Sequence, residues 1–319
     1  PLAGDEAPRP RHAVWEFTLA CDQRCLCCGP RAGVARANEL TTDECLRLVD
    51  ELAELGVGEV TLIGGEAYLR PDFLLVIRAI RERGMTSTLT TGGYGMTRER
   101  AEAMVEAGVQ SVSVSIDGLA ACHDALRGRP HSFERAFAAL RHLRAAGSQI
   151  ACNSQINART LGDLEGLLEL LAPEGIHAWQ VQLTLAHGVA ADHPEILLQP
   201  HQMIAAYAVL ERLLARCEAL KIRLYPGNSV GYFGPLEARL RRMTTAIAHR
   251  GPDGEPCVAA GARHRLLLSL DGTAGRSQSA GLGRHSRRAR LDAAGGGLPK
   301  SGEGPGGAEG DGVRHLGPG

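Results

Sequence analysis

Apolar positions along the chain follow two rhythms in alternation. Short β-rich runs predict strands at 14–20, 59–63, 86–91, 111–116, 149–156 and 179–185. Longer stretches with helical spacing predict helices at 42–55, 71–83, 98–107, 132–146, 161–171 and 200–220. Thr41-Thr42-Asp43-Glu44 ahead of an apolar stripe is a helix start. Gly56, Gly84, Gly108 and Gly147 fall where a left-handed helix cap is wanted. Strand-helix alternation of this kind predicts an α/β fold with a parallel sheet and right-handed crossovers. Six units predict a partial (β/α)6 TIM-like barrel rather than a closed eight-fold one. An open doubly wound sheet is the competing arrangement.

Three successive strands carry a polar face. Ser111, Ser113 and Ser115 alternate with Val112, Val114 and Ile116. Asn153, Gln155 and Asn157 alternate in the next strand, and Gln180, Gln182 and Thr184 in the one after. Strands covered on both faces are normally apolar on both. The polar row therefore predicts a wet cavity inside a curved sheet, against the alternative of a sheet with one solvated face.

Composition narrows the class. The chain has 319 residues, a length that fits one domain plus an appendage, and 44% hydrophobic content fills a sizeable core. A net charge of −1 argues against nucleic-acid binding by bulk positive charge. No 18-residue apolar run predicts a membrane span, and no secretory signal is evident, so the cytoplasm is the expected compartment. Residues 271–319 hold 15 of the 40 glycines and no cysteine or aromatic, a composition that buries too little to order itself. The expected organisation is a barrel over 13–225, a linker and extension over 226–273 and a disordered Gly-rich tail over 274–319.

The chemistry concentrates at the front. Cys21-Asp22-Gln23-Arg24-Cys25-Leu26-Cys27-Cys28 contains C-x3-C-x2-C at the end of the first strand. Three thiolates can hold three irons of a [4Fe–4S] cube and leave the fourth open to a ligand. A zinc knuckle, or reduced structural thiols, is the alternative reading. Gly64-Gly65-Glu66 follows the second strand, and Thr90-Thr91-Gly92-Gly93 ends the third. Ser113-Val114-Ser115-Ile116-Asp117-Gly118 closes the fourth, and His123-Asp124-Ala125-Leu126-Arg127-Gly128 comes next. These candidates cluster at the C-terminal ends of strands, the rim where (β/α) barrels build their sites. Cys45, Cys122, Cys152 and Cys217 lie in apolar patterns and read as buried small hydrophobes.

These motifs resemble those of the radical S-adenosylmethionine (SAM) superfamily. The resemblance covers about residues 13–273 and is most specific over 15–157. It implies a [4Fe–4S] cluster on Cys21, Cys25 and Cys28, with Cys27, in place of the usual aromatic residue, as a competing ligand. It implies that Gly64, Gly65 and Glu66 receive the methionine amino group of SAM. It places Ser115 near the SAM ribose or carboxylate and pairs Arg127 with the methionine carboxylate. Thr91 and Gly92 would line the SAM pocket. Asn153 and Gln155 would bond ribose hydroxyls or substrate, unless they satisfy their own strand. Asp117-Gly118 reads equally well as a simple turn.

The implied reaction is reductive cleavage of SAM to a 5′-deoxyadenosyl radical that abstracts hydrogen from a substrate. A flavodoxin or ferredoxin is the expected electron donor. Cys257 and the segment 266–273 resemble the start of a SPASM or twitch extension, a hairpin with Asp271-Gly272. No cysteine follows Cys257, so an auxiliary iron–sulfur cluster is incomplete as written. A shifted reading frame after Thr273 or a true truncation would each account for this. The resemblance favours maturation of a ribosomal peptide or protein side chain. Cofactor biosynthesis on a small molecule, or a decayed cluster-binding paralogue, is the alternative. With about 13 residues ahead of the first strand, a partner protein or the barrel mouth would hold a peptide leader. The segment 225–234 would line that mouth or link to the appendage.

Overall fold

A computed structural model describes residues 10–227, Val230 and the backbone of 265–269. Its elements are β1 (His12–Thr18), α1 (Thr42–Glu54), β2 (Glu59–Gly64), α2 (Phe73–Glu82), β3 (Thr86–Thr91), α3 (Arg98–Ala107) and β4 (Val109–Ser115). They continue with α4 (Ala120–Arg127), α5 (Ser132–Ala145), β5 (Gln149–Ile156), α6 (Leu164–Leu171), β6 (Ala178–Leu183), α7 (Met203–Ala219), β7 (Arg223–Pro226) and β8 (Arg265–Ser269). Strand order is β7-β6-β5-β4-β3-β2-β1-β8, and every pairing is parallel.

That order decides between the two arrangements. From β1 to β7 each strand lies beside the one before it in the chain. A doubly wound sheet reverses direction at a switch point, and none occurs between β1 and β7. The fold is a partial TIM-like barrel, with β7 and β8 at opposite edges of the sheet.

Local chemistry accounts for the elements. Thr41 and Glu44 close a capping box at α1: Thr41 Oγ1 accepts the Glu44 N–H, and Glu44 Oε2 accepts the Thr41 N–H. Cys45, Val49 and Leu52 then bury one stripe of that helix. Gly56, Gly84, Gly108 and Gly147 all adopt positive φ after their helices, as their positions predict. Strand residues facing the helices are mostly apolar: Trp15, Leu62, Val112, Val114, Cys152, Trp179 and Val181 are buried, with Ser87 and Ser154 as buried polar exceptions.

The opposite face is polar and half-buried. Ser111, Ser113, Ser115, Asn153, Gln155, Gln180 and Gln182 lie on it. Register aligns Ser115, Asn153, Gln180 and Tyr225 across four strands. The strands β4, β5 and β6 contain no charged residue.

Three elements escaped the sequence pattern. β7 has four residues and ends on a proline, too short for a period to register. α4 spans eight residues, with Gly128 left-handed at its end. Residues 265–269, expected as one arm of a hairpin, pair in parallel with β1. The Asp271-Gly272 turn, Cys257, the 274–319 tail and most of 228–264 lie outside the described residues. Cys45, Cys152 and Cys217 are buried as expected, whereas Cys122 is only half-buried on α4.

Candidate functional site

The C-terminal ends of β1 to β4 meet around the cysteine loop. The loop leaves β1 and returns beside it, with a bridge between Ala20 and Gly33. Its far side is laced to the end of α4: Arg24 N–H donates to Arg127 O at 3.1 Å, and Leu26 N–H to Leu126 O at 2.8 Å. Val189 N–H donates to Cys28 O at 2.8 Å and ties in the segment after β6. The thiols thus stand on a loop anchored at three places.

Each sulfur of the C-x3-C-x2-C triad faces one N–H donor. Gln23 N–H lies 3.4 Å from Cys21 Sγ, Arg127 Nη1 lies 3.7 Å from Cys25 Sγ, and Ala32 N–H lies 3.2 Å from Cys28 Sγ. No donor reaches Cys27 Sγ among the described residues. N–H groups aimed at sulfur stabilise thiolate and tune an iron–sulfur cluster. Burial pushes the Cys21 thiol up to about 12, with Glu66 adding to the rise. Burial likewise raises Cys25, against the pull of Arg127. Such thiols shed their protons when metal binds.

The donor set fits a multi-iron cluster better than one zinc ion. A tetrahedral Zn²⁺ with bonds of about 2.3 Å draws its sulfurs to within about 4 Å of each other. Among the described residues no three thiols gather within 4.8 Å; the one set of three potential ligand side chains that close is Cys21, Asp22 and Glu66. A cluster of several metals spreads its thiolates wider than a single ion does.

Gly64 and Gly65 pack against the backbone at the end of β1. A Cβ on Gly64 would lie 2.2 Å from Thr18 O, and one on Gly65 would lie 2.0 Å from Ala20 O. The glycines let the end of β2 lie flush against the backbone entering the cysteine loop. Gly65 N–H donates to Thr18 O and Glu66 N–H to Ala20 O, both at 2.7 Å. This delivers Glu66 to the site at 2% exposure. Thr91 Oγ1 donates to Glu66 Oε2 at 2.5 Å, and Gly92 N–H to Glu66 Oε1 at 2.6 Å. Thr91 and Gly92 therefore act by holding Glu66. Burial raises the Glu66 carboxyl to about 7, against those two bonds.

Arg127 meets two protein partners that the sequence did not indicate. Its Nη2 pairs with Asp117 Oδ2 at 2.7 Å, while Nη1 faces Cys25. Asp117 is therefore more than a turn residue, although Gly118 beside it does turn with φ 76°. Its Oδ1 accepts the Gln155 N–H at 2.7 Å, and its own N–H donates to His123 Nδ1 at 2.9 Å. His123 Nε2 lies 3.1 Å from Ser132 Oγ, which also accepts from Gln23 Nε2 at 2.8 Å. Burial, helped by Arg127, pushes His123 down to about 2, so it stays neutral.

The sequence pattern did not single out Asp22, Gln23, Tyr68 or Ser132. Tyr68 OH donates to Asp22 Oδ2 at 2.7 Å and accepts the Gly95 N–H at 3.0 Å. Asp22 and Gln23 lie inside the cysteine motif, the one signal that could have found them. Ser115 and Asn153 sit side by side in register on the half-buried face, and Gln155 Oε1 accepts from Thr184 Oγ1 at 3.2 Å. Asp22 Oδ1, Arg127 Nε and Asn153 Oδ1 are buried without a hydrogen-bond partner. Buried polar atoms left this way point to a polar ligand.

Residues 15–171 match the Radical SAM superfamily. This part of the chain is a radical SAM domain. The superfamily uses a [4Fe–4S] cluster and SAM. The AdoMet-dependent heme synthase of Methanosarcina barkeri is 36% identical over 189 residues, 59% of this chain and 54% of that protein. The PqqA peptide cyclase of Ruegeria pomeroyi is 31% identical over 226 residues, 69% of this chain and 60% of that protein. The chain spans about half the length of the curated relatives it matches. In fold, the radical SAM domain resembles Streptococcus suis SuiB bound to S-adenosylmethionine, with a TM-score of 0.59 at 15% identity. That match covers 68% of this chain and 50% of SuiB. No described helix is long and apolar enough to cross a membrane.

Proposed function

We propose that this radical SAM domain abstracts hydrogen from a peptide or protein side chain. A [4Fe–4S] cluster held by Cys21, Cys25 and Cys28, with SAM beside it, would supply the one-electron reductive cleavage and hydrogen-abstracting chemistry of the superfamily. The protein holds and orients. Cys21, Cys25 and Cys28 hold the cluster. Glu66, fixed by Thr91 and Gly92, takes the methionine ammonium, for which a buried carboxylate is suited. Gly64 and Gly65 set the depth at which it does so. Ser115, Asn153 and Gln155 offer hydrogen bonds to the ribose or the substrate from the polar face. Arg127 bounds the site beside Cys25. An electron donor such as flavodoxin or ferredoxin completes the system.

The observation carrying the peptide reading is the neutral polar face. Side-chain amides and hydroxyls on β4, β5 and β6 match the alternating donors and acceptors of a peptide. The heme synthase relative favours a second reading, a porphyrin-type small molecule. Carboxylates on such a substrate call for cations, and these three strands carry none.

The test is anaerobic turnover of the reconstituted chain with SAM and a chemical reductant. A precursor peptide encoded beside the gene and an iron porphyrin are offered separately. We expect the peptide to raise 5′-deoxyadenosine release and to pass substrate deuterium into it. Stimulation by the porphyrin alone would overturn the peptide reading. A bound cluster with no SAM cleavage under any condition would mark a non-catalytic paralogue.

A further inference from the structure

We propose that Arg127, held in place by Asp117, is the electrostatic partner of the Cys25 thiolate and sets how readily the cluster accepts its electron. The inference rests on the cluster reading above. Arg127 Nη1 lies 3.7 Å from Cys25 Sγ and Nη2 lies 2.7 Å from Asp117 Oδ2, with side-chain exposures of 10% for Arg127 and 1% for Asp117.

The arrangement is fixed from every side. The backbone bonds from Arg24 and Leu26 lock the cysteine loop onto the α4 terminus that carries Arg127. Gly128 ends that helix at φ 59°, and a Cβ there would sit 2.6 Å from Arg24 O. Gly128 thus lets the helix end lie close against the loop backbone, where a side chain would force them apart. Asp117 is pinned in turn by the Gln155 N–H on Oδ1 and by the bond from its own N–H to His123. Turning the guanidinium fully onto a ligand carboxylate would break a buried ion pair, a costly step. Of the guanidinium nitrogens Nε has no hydrogen-bond partner, and Asp117 Oδ2 meets Nη2 as an ion pair rather than through a hydrogen bond.

A cationic donor on a ligand sulfur draws off negative charge. Adding an electron to the cluster then meets less repulsion, which raises the reduction potential. Asp117 acts through Arg127 and is a positioning residue. Its carboxylate keeps the guanidinium buried and aimed at Cys25, because a lone buried cation would move to solvent.

The experiment is a potentiometric titration of the full chain, reconstituted anaerobically with iron and sulfide and followed by electron paramagnetic resonance. Iron content and SAM affinity, by equilibrium dialysis, are measured on the same samples. Arg127→Gln is expected to lower the reduced-to-oxidised ratio at fixed potential about tenfold, which is about 59 mV for one electron. Arg127→Lys keeps the charge but loses the fork, and should fall between Arg127→Gln and wild type. Asp117→Asn should move the potential in the same direction as Arg127→Gln.

An unchanged potential in Arg127→Gln, with a large loss of SAM affinity, would overturn the proposal and make Arg127 a methionine-carboxylate ligand. A rise in potential for Asp117→Asn would show Asp117 acting as a bare charge and overturn its positioning role. If Arg127→Gln fails to hold iron, Arg127→Lys and Asp117→Asn carry the test. Wild-type protein that binds no iron would instead overturn the cluster reading itself.

Discussion

Cys27 stands between two thiols that each face a donor, and it has none of its own among the described residues. Spacing alone leaves four candidate ligands, and the N–H groups around Cys21, Cys25 and Cys28 separate three of them from the fourth. Anaerobic reconstitution should therefore give about four irons per chain in wild type and in Cys27→Ala. Cys25→Ala should lose the iron and the broad absorbance near about 400 nm. Iron assay and absorbance decide it, and loss of the cluster in Cys27→Ala would assign the ligands differently. Gly92 gives a second prediction. A Cβ there would lie 2.1 Å from Gln23 Oε1 and 2.9 Å from Glu66 Oε1. Gly92→Ala should keep its iron yet bind SAM about tenfold more weakly, since it disturbs a bond to a buried charge. Equilibrium dialysis measures this. The thiols and Glu66 were legible because their spacing is local. The partners of Arg127 were not, because Asp117 and Cys25 reach it from 10 and 102 residues away.

At the scale of elements, α4 is a small helix with a large consequence. It joins the cysteine loop to the end of β4 and carries both His123 and Arg127. Buried His123 makes that joint sensitive to acid. Its folded pKa is depressed to about 2, from 6.5 in an open chain. Between those values the unfolded chain binds one proton more than the folded one. The contribution of His123 to stability is whole above about pH 6.5 and falls by about 1.4 kcal/mol per unit as pH drops. About 2 kcal/mol should go between about pH 6.5 and pH 5. Urea unfolding of wild type and His123→Gln at both pH values measures this; equal slopes would show that His123 is not buried neutral. The period of apolar residues marked the long helices and most strands. It missed β7 because four residues complete too few repeats, and α4 because His123 and Arg127 take two of its three buried positions and break the apolar stripe.

Across the whole molecule, the barrel brings loops from four strand ends to one site and places the uncharged polar face of β4, β5 and β6 in the same sheet. Binding at such an assembled site links to global stability. SAM at about 100 times its Kd should stabilise iron-loaded protein by about 2.7 kcal/mol, and chelated protein by much less. Thermal or urea unfolding with and without SAM gives the difference, and equal gains in both forms would place SAM away from the cluster.

The sequence by itself determined the α/β alternation, the thiol spacing and the position of each polar motif at a strand end. These follow from local periodicity and turn chemistry, which a linear chain records directly. Only the tertiary structure decided that the sheet winds one way, that Gly64 and Gly65 serve β1, and that Arg127 faces a sulfur. Those depend on contacts between distant segments, and packing, not neighbouring residues, selects which of several chemically reasonable partners a buried charge meets.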